Sequence, residues 1–323
     1  MYFQPFFPKP EALHIPDGFL SLPVALVSWV ITLILLAIAV RKSQNQLSER
    51  QVPLMGVMAA FVFAAQMINF PVVGGTSGHF LGGALVAIVL GPWAGILVMA
   101  SVVGVQALLF QDGGLLVMGA NILNMGLLTA LIGYGLYRAV AKQKRGIRML
   151  VAGSGAWLAI MAGALSTAIQ LWLSGTSPAN FVFPAMIGIH ALIGIGEALI
   201  TVAALTFIEQ VRPELLRNEN LQARGGLGWV VGGVVISLVV VLLSPFASGD
   251  PDGLERVAAD LGFIGQGKDA PFQILSDYSI PFLNDAGLST ILAGTIGAIM
   301  VAVAVFLVGK ALYRKSGTST QVN

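Results

Sequence analysis

Few residues in this chain can do chemistry, and most of them gather near one another. There are 3 histidines, His14, His79 and His190, and no cysteine among 323 residues. Without a thiol there is no disulfide framework, thiolate metal site or Cys nucleophile. Imidazole remains, and a lone His on a membrane span is usually structural. Gln66, Asn69, Thr76, Ser77, Asn121, Asn124 and Gln170 lie in or beside apolar stretches. Asn121 and Asn124, at i and i+3, share one helix face. Glu197 is a carboxylate deep in an apolar stretch and shares a helix face with His190, about 10 Å further along. Such a carboxylate is a functional candidate; a hydrogen-bonded packing residue is the equally weighted alternative. H-E-x-x-H and a Walker A sequence are both absent, so neither zincin chemistry nor nucleotide hydrolysis is indicated.

The elements that carry these residues are read from composition and charge. Apolar residues make up 56% of the chain and charged residues 10%, with a mean hydropathy of +0.86. A soluble domain carries about 25% charged residues. A net charge of +2 gives no nucleic-acid footprint. Apolar blocks at 22–40, 54–70, 80–91, 93–110, 115–138, 150–173, 184–208, 228–244 and 288–312 predict an all-α polytopic membrane protein with about nine transmembrane helices. Seven form a bundle and two follow as a C-terminal unit. The third block is short and meets the fourth at Gly91-Pro92, so one broken helix is the competing reading. Lys and Arg positions decide between them. With nine spans and the N-terminus outside, only Lys9, Arg256 and Lys268 fall outside, and the basic 138–148 loop falls inside. Merging the two blocks would put that loop outside. The chain is therefore expected in the cell (inner) membrane with a cytoplasmic C-terminus.

Under this topology the histidines and most of the polar residues lie toward the outer face. Polar groups in lipid must face a bundle interior or a wet cavity. A polar cavity closed below fits a binding protein better than a channel. The outer loop 245–287, rich in Asp, is long enough to hold a small ordered element. Small residues recur every fourth position at Gly56, Ala60 and Ala64, and again at Gly294, Ala298 and Ala302. Such stripes let helices approach closely. Ordinary internal packing is the commoner use, and Ala60 and Ala64 are also a candidate coupling face. The expected division is an extension at 1–13, a membrane domain at 14–212, a cytoplasmic linker at 213–227 and a two-helix unit at 228–315.

The segment His14-Ile15-Pro16-Asp17-Gly18-Phe19-Leu20-Ser21 resembles the start of the CbiM/NikM proteins, substrate-binding components of energy-coupling factor transporters for cobalt and nickel. Gly74 to Leu85, Gln111 to Gly114, Gly119 to Met125 and His190 to Thr201 extend the resemblance over roughly residues 14–210. Pro251-Asp252-Gly253-Leu254-Glu255 is similar to the signature of the PDGLE domain, which in this family replaces a separate two-helix subunit. The resemblance implies uptake of Ni²⁺ or Co²⁺ as cargo, with no cofactor and no enzyme activity in this chain. It implies partners too: a membrane coupling (T) subunit and ATP-binding cassette ATPase subunits, besides the lipid bilayer. It also implies metal ligation by His14 and His79, with a terminal amine and a backbone amide completing a near-planar nitrogen set. Thirteen residues precede His14, so that amine requires translation to start at Leu13, or trimming to that point. Asn69, Thr76, Ser77, Asn121, Asn124, His190 and Glu197 are the supporting candidates. The rival function is a secondary transporter or channel for a divalent cation that works through Glu197.

Overall fold

The structure, a computed structural model, describes residues 14–217 and 228–319, with side chains to residue 313. The 1–13 extension, the amine expected at Leu13 and the 218–227 part of the linker lie outside the described residues. The chain is mostly helical: α1 (Leu22–Gln44), α2 (Gln51–Gln66), α3 (Gly83–Leu90), α4 (Pro92–Val105), α5 (Met118–Asn121), α6 (Thr129–Ala139), α7 (Arg145–Leu173), α8 (Ala179–Val211), α9 (Glu214–Arg217), α10 (Gly228–Leu243), α11 (Gly253–Asp260) and α12 (Ala286–Ser319). A π-helical turn extends α4 to Phe110, and another fuses α5 and α6 into one stretch, Met118–Ala139. Among the described residues, seven helices are long and apolar enough to cross a membrane, and α2 is a shorter apolar helix. The chain is a multi-pass membrane protein.

The third apolar block differs from its expected span. Only eight residues are helical in α3, about 12 Å at helical rise, too short to cross alone. Gly82 opens it at φ +79° and Gly91 closes it at φ +86°, left-handed values that favour glycine. The chain then reverses, with Gly95 of α4 lying against Ala87 of α3: a Cβ on Gly95 would sit 2.8 Å from the Ala87 Cα. The two blocks are thus a folded-back pair and not one broken helix. Hydropathy also misses a two-stranded antiparallel hairpin, β1 (Phe70–Val72) with β2 (Thr76–Gly78). Its turn is made by Gly74 and Gly75, at φ +100° and +69°.

The two small-residue stripes meet each other. A Cβ on Gly56 would lie 3.1 Å from the Ala302 carbonyl oxygen, and one on Gly294 would lie 2.6 Å from the Met67 side chain. Ala60, Ala64 and Ala298 are buried. α12 therefore runs antiparallel along α2 at close range, with α10 on the same helix. The coupling face expected at Ala60 and Ala64 is corrected: the C-terminal unit covers it.

The 245–287 loop does hold an ordered element, α11, and its sequence explains itself. The Asp252 side chain accepts from the Glu255 N–H while Glu255 accepts from the Asp252 N–H, a complete capping box. Gly253 leaves room for α8, since a Cβ there would sit 2.6 Å from Ile193 Cδ1 and 3.1 Å from His190 Nε2. Leu254 joins an apolar cluster with Ile15, Phe19 and Met186.

Candidate metal centre

The N-terminal segment is held in place by side chains distant in sequence. Asn121 brackets Ile15, its Oδ1 accepting from the Ile15 N–H at 3.1 Å and its Nδ2 donating to the Ile15 carbonyl at 3.0 Å. The Asp17 carboxylate accepts from the N–H groups of Leu115, Leu116 and Val117 just before α5. The Gln111-Asp112-Gly113-Gly114 turn lies against the segment so tightly that no side chain fits. A Cβ on Gly113 would be 2.9 Å from the His14 Cβ, and one on Gly114 would be 2.2 Å from Asp17 Oδ1.

His14 is thereby buried, and its Nδ1 lies 3.0 Å from Asp112 Oδ1 and 3.0 Å from the Asp112 carbonyl oxygen. Its Nε2 is buried with no hydrogen-bond partner among the described residues. A carboxylate on one ring nitrogen sets the tautomer and leaves the other nitrogen as a lone-pair donor, the usual arrangement behind a metal-bound imidazole. The His79 ring stands edge-on to the His14 ring, with centroids 5.7 Å apart. A metal–nitrogen bond of ~2.1 Å places each centroid about 3.2 Å from an ion, so one ion can reach both rings.

His79 arrives differently. It follows β2 directly, and the backbone after it is fixed from α8. Glu197 Oε2 accepts from the Leu81 N–H at 2.7 Å, and Oε1 accepts from the Gly82 N–H at 3.0 Å. A Cβ on Gly78 would sit 2.6 Å from Ile193 Cγ2, so the hairpin lies flat on α8.

The two histidines line a cavity of ≈80 Å³ together with His190, Asn121, Asn124 and Asp252, room for an ion and a few waters. A larger cavity of ≈360 Å³ on the other side of His14 is lined by loop residues 264–277, and His14 and Leu254 line both. Asn124 is bound to Ser166, Thr167 and Gln170, which makes it a brace. His190 Nδ1 bonds the Met186 carbonyl at 2.8 Å.

Four of the supporting candidates do not line the cavity. Asn69 does not line the cavity; its carbonyl accepts from the Ser248 N–H. Thr76 and Ser77 hold the C-terminal unit: Thr76 Oγ1 and the Ser77 N–H both donate to the Pro251 carbonyl, and Ser77 Oγ donates to the Asp250 carbonyl. Glu197 positions the His79 loop instead of lining the cavity. Asp112 and Asp252 were missed. Their signal was in plain view, since carboxylates are scarce in this chain and each sits in a glycine-bearing motif already singled out.

Charge at the site follows from this burial. Burial opposes the imidazolium form of His14, but the Asp112 carboxylate outweighs it and raises His14 above the ordinary histidine value. Burial opposes the charge on Asp112 too, yet His14 and the Tyr278 hydroxyl hold it below the usual carboxylate range. Burial pushes Asp252 up to about 7, against the Glu255 N–H, which stabilises its charge.

Residues 14–215 match the CbiM family, described as the cobalt uptake substrate-specific transmembrane region, and residues 227–314 match the PDGLE domain. A putative fused nickel transport protein NikMN of Archaeoglobus fulgidus is 33% identical over 90% of this chain and 95% of its own. A probable fused nickel transport protein LarMN of Lactiplantibacillus plantarum is 31% identical, covering 95% and 99%. A crystal structure of a transition metal transporter shares the fold with a TM-score of 0.57 at 35% identity, over 66% of this chain and 100% of that one.

Proposed function

Since the chain belongs to the CbiM family of cobalt and nickel transport components, with a PDGLE domain fused behind it, we propose that it is the substrate-binding subunit of an energy-coupling factor transporter for Ni²⁺ or Co²⁺. The observation that carries this is the pair of imidazoles, His14 and His79, facing each other across a buried cavity with the His14 Nε2 unpartnered. Nitrogen ligands of this kind suit both ions. The site opens outward, with the N-terminus outside and the C-terminus in the cytoplasm. Energy comes from a membrane coupling subunit and separate ATPase subunits. The division at residues 212–228 separates the metal-binding bundle from a unit that assists loading or release.

The proposed nitrogen set is completed at residue 13. A chelate between the amide and the ring of one histidine closes through Nδ1, which here faces Asp112; the nitrogen presented without a partner is Nε2. The competing secondary-transporter reading needs Glu197 available to a coupling ion, and both of its oxygens are engaged by backbone N–H groups.

The test is metal content by elemental mass spectrometry on two purified forms, one starting at Met1 and one with the initiator Met in place of Leu13. Stoichiometric nickel or cobalt in the short form alone supports an amine-dependent site. Metal in both forms supports a site built on imidazoles. Metal in neither removes the reading.

A further inference from the structure

We propose that Asp252, from the C-terminal unit, is the charge partner of the cation in the His14–His79 cavity: its carboxylate stands in the cavity wall and offsets charge that neutral imidazoles leave uncompensated. Among the described residues that line this cavity, Asp252 is the one carboxylate, and no Lys or Arg lines it. The other polar side chains in the wall, from His14, His79, His190, Asn121, Asn124 and Thr167, bring no formal negative charge. Moving a divalent ion from water into such a space is costly unless an opposite charge lies close by. Asp112 is also near His14, but it stands behind the ring and does not line the cavity.

The strand that delivers His79 also delivers this carboxylate. Ser77 Oγ donates to the Asp250 carbonyl at 2.8 Å. Thr76 Oγ1 and the Ser77 N–H donate to the Pro251 carbonyl at 3.0 and 2.8 Å. The chain just before Asp252 is thus tied to β2 two residues before His79. On the other side, Gly253 lies against His190 and Ile193 of α8, with no room for a Cβ. Asp252 itself is 3% exposed, so its charge is poorly screened by solvent. The N–H groups of Leu254 and Glu255, in the first turn of α11, stabilise the anion. Its field already reaches the strap, since Asp252 favours positive charge on His14. A cation held between His14 and His79 sits in that same field. The competing account is that Asp252 merely caps α11. One substitution parts the two accounts, because Asn caps a helix about as well as Asp and carries no charge.

This inference rests on the cavity holding a divalent cation, and it is independent of which ring nitrogen of His14 binds. The test uses the full chain in detergent, in the N-terminal form that holds nickel, with Ni²⁺ and then Co²⁺ as probes. In Asp252→Asn we expect the affinity for both ions to fall about 10–100-fold, while the unfolding midpoint of the metal-free protein stays in place. Asp252→Ala removes charge and cap together, so affinity and midpoint should both fall. Glu255→Gln removes a carboxylate that does not line this cavity and keeps the capping box; its affinity should change by less than threefold. Unchanged affinity in Asp252→Asn overturns the inference and leaves the metal site standing. So does an equal loss in Glu255→Gln, or a fall in the Asp252→Asn midpoint as large as that of Asp252→Ala, which assigns the effect to the cap. If Asp252→Asn does not fold, Asp252→Ser, another uncharged capping residue, carries the same expectations. A wild-type protein that binds neither ion refutes the function and the inference together.

Discussion

His79 sits between a short hairpin and a helix, on backbone whose hydrogen bonds come from neighbouring secondary structure and from Glu197 on α8. His14 sits on a segment with no regular structure, tied to residues about a hundred positions away: Asn121 and the 111–114 turn bond Ile15, and Asp17 accepts from the N–H groups of 115–117. One imidazole is presented by the bundle itself. The other is presented by a strap across its mouth that the C-terminal loop backs. The difference teaches how each should fail. The His79 side is coupled to the stability of the bundle, whereas the His14 side can loosen while the bundle stays folded, because its anchors are individual polar bonds of ~1 kcal/mol net.

The largest effect tests what the two sides share. His14→Ala and His79→Ala should each reduce metal affinity by more than the ~10–100-fold that loss of an outer-sphere partner brings, read as metal bound per protein after dialysis. Full retention in either variant would break the pairing.

Glu197→Leu comes next. It leaves the N–H groups of Leu81 and Gly82 without their acceptor, a loss of about 1–3 kcal/mol for each buried group. Thermal unfolding in detergent should fall along with metal binding. Glu197→Gln separates the rival function: lost uptake with intact binding would favour an ion-coupled transporter.

Asn121→Ala should behave in the opposite way to Glu197→Leu. Metal affinity should drop several-fold while the unfolding midpoint moves little, because Asn121 bonds only the strap at Ile15. An equal fall in both quantities would erase the contrast between the two scaffolds.

The pH dependence sharpens the same point. On the proposed ligation the metal needs the His14 lone pair, and Asp112 holds the His14 proton to a higher pH than usual. Binding should therefore weaken as pH falls through that raised value, and more steeply as Asp252 loses its charge near pH 7. Asp112→Asn removes the carboxylate that retains the proton, so the midpoint should move to lower pH. A midpoint that stays in place would mean His14 does not control the profile.

The smallest effect concerns the join. Thr76→Val removes one of two donors to the Pro251 carbonyl, and the Ser77 N–H remains. Metal affinity should change by less than threefold, about one weak hydrogen bond.

Much of this was legible in the chain. Hydropathy located the membrane helices, because an apolar block long enough to cross is a property of adjacent residues. The glycine-bearing motifs around His14 and His79 pointed to the two proposed ligands. The reversal at Gly91-Pro92 followed from the charges beyond it. Asn69, Thr76, Ser77 and Glu197 were placed at the site because polarity and depth drew them there, but neither property says which way a side chain points. Thr76 and Ser77 turn to the C-terminal unit, and Glu197 turns to a backbone.

The sequence by itself determined that this is a membrane protein built on apolar helices, since composition and local spacing are one-dimensional quantities. Only the tertiary structure decided what stands behind His14 and His79. It put Asp112 against His14 and brought Asp252 into the cavity wall. It set Tyr278 on Asp112, 166 residues away, and laid the stripe around Ala298 on the stripe around Ala60. Such pairings depend on how separate helices close on one another, and no local pattern of residues encodes that distance.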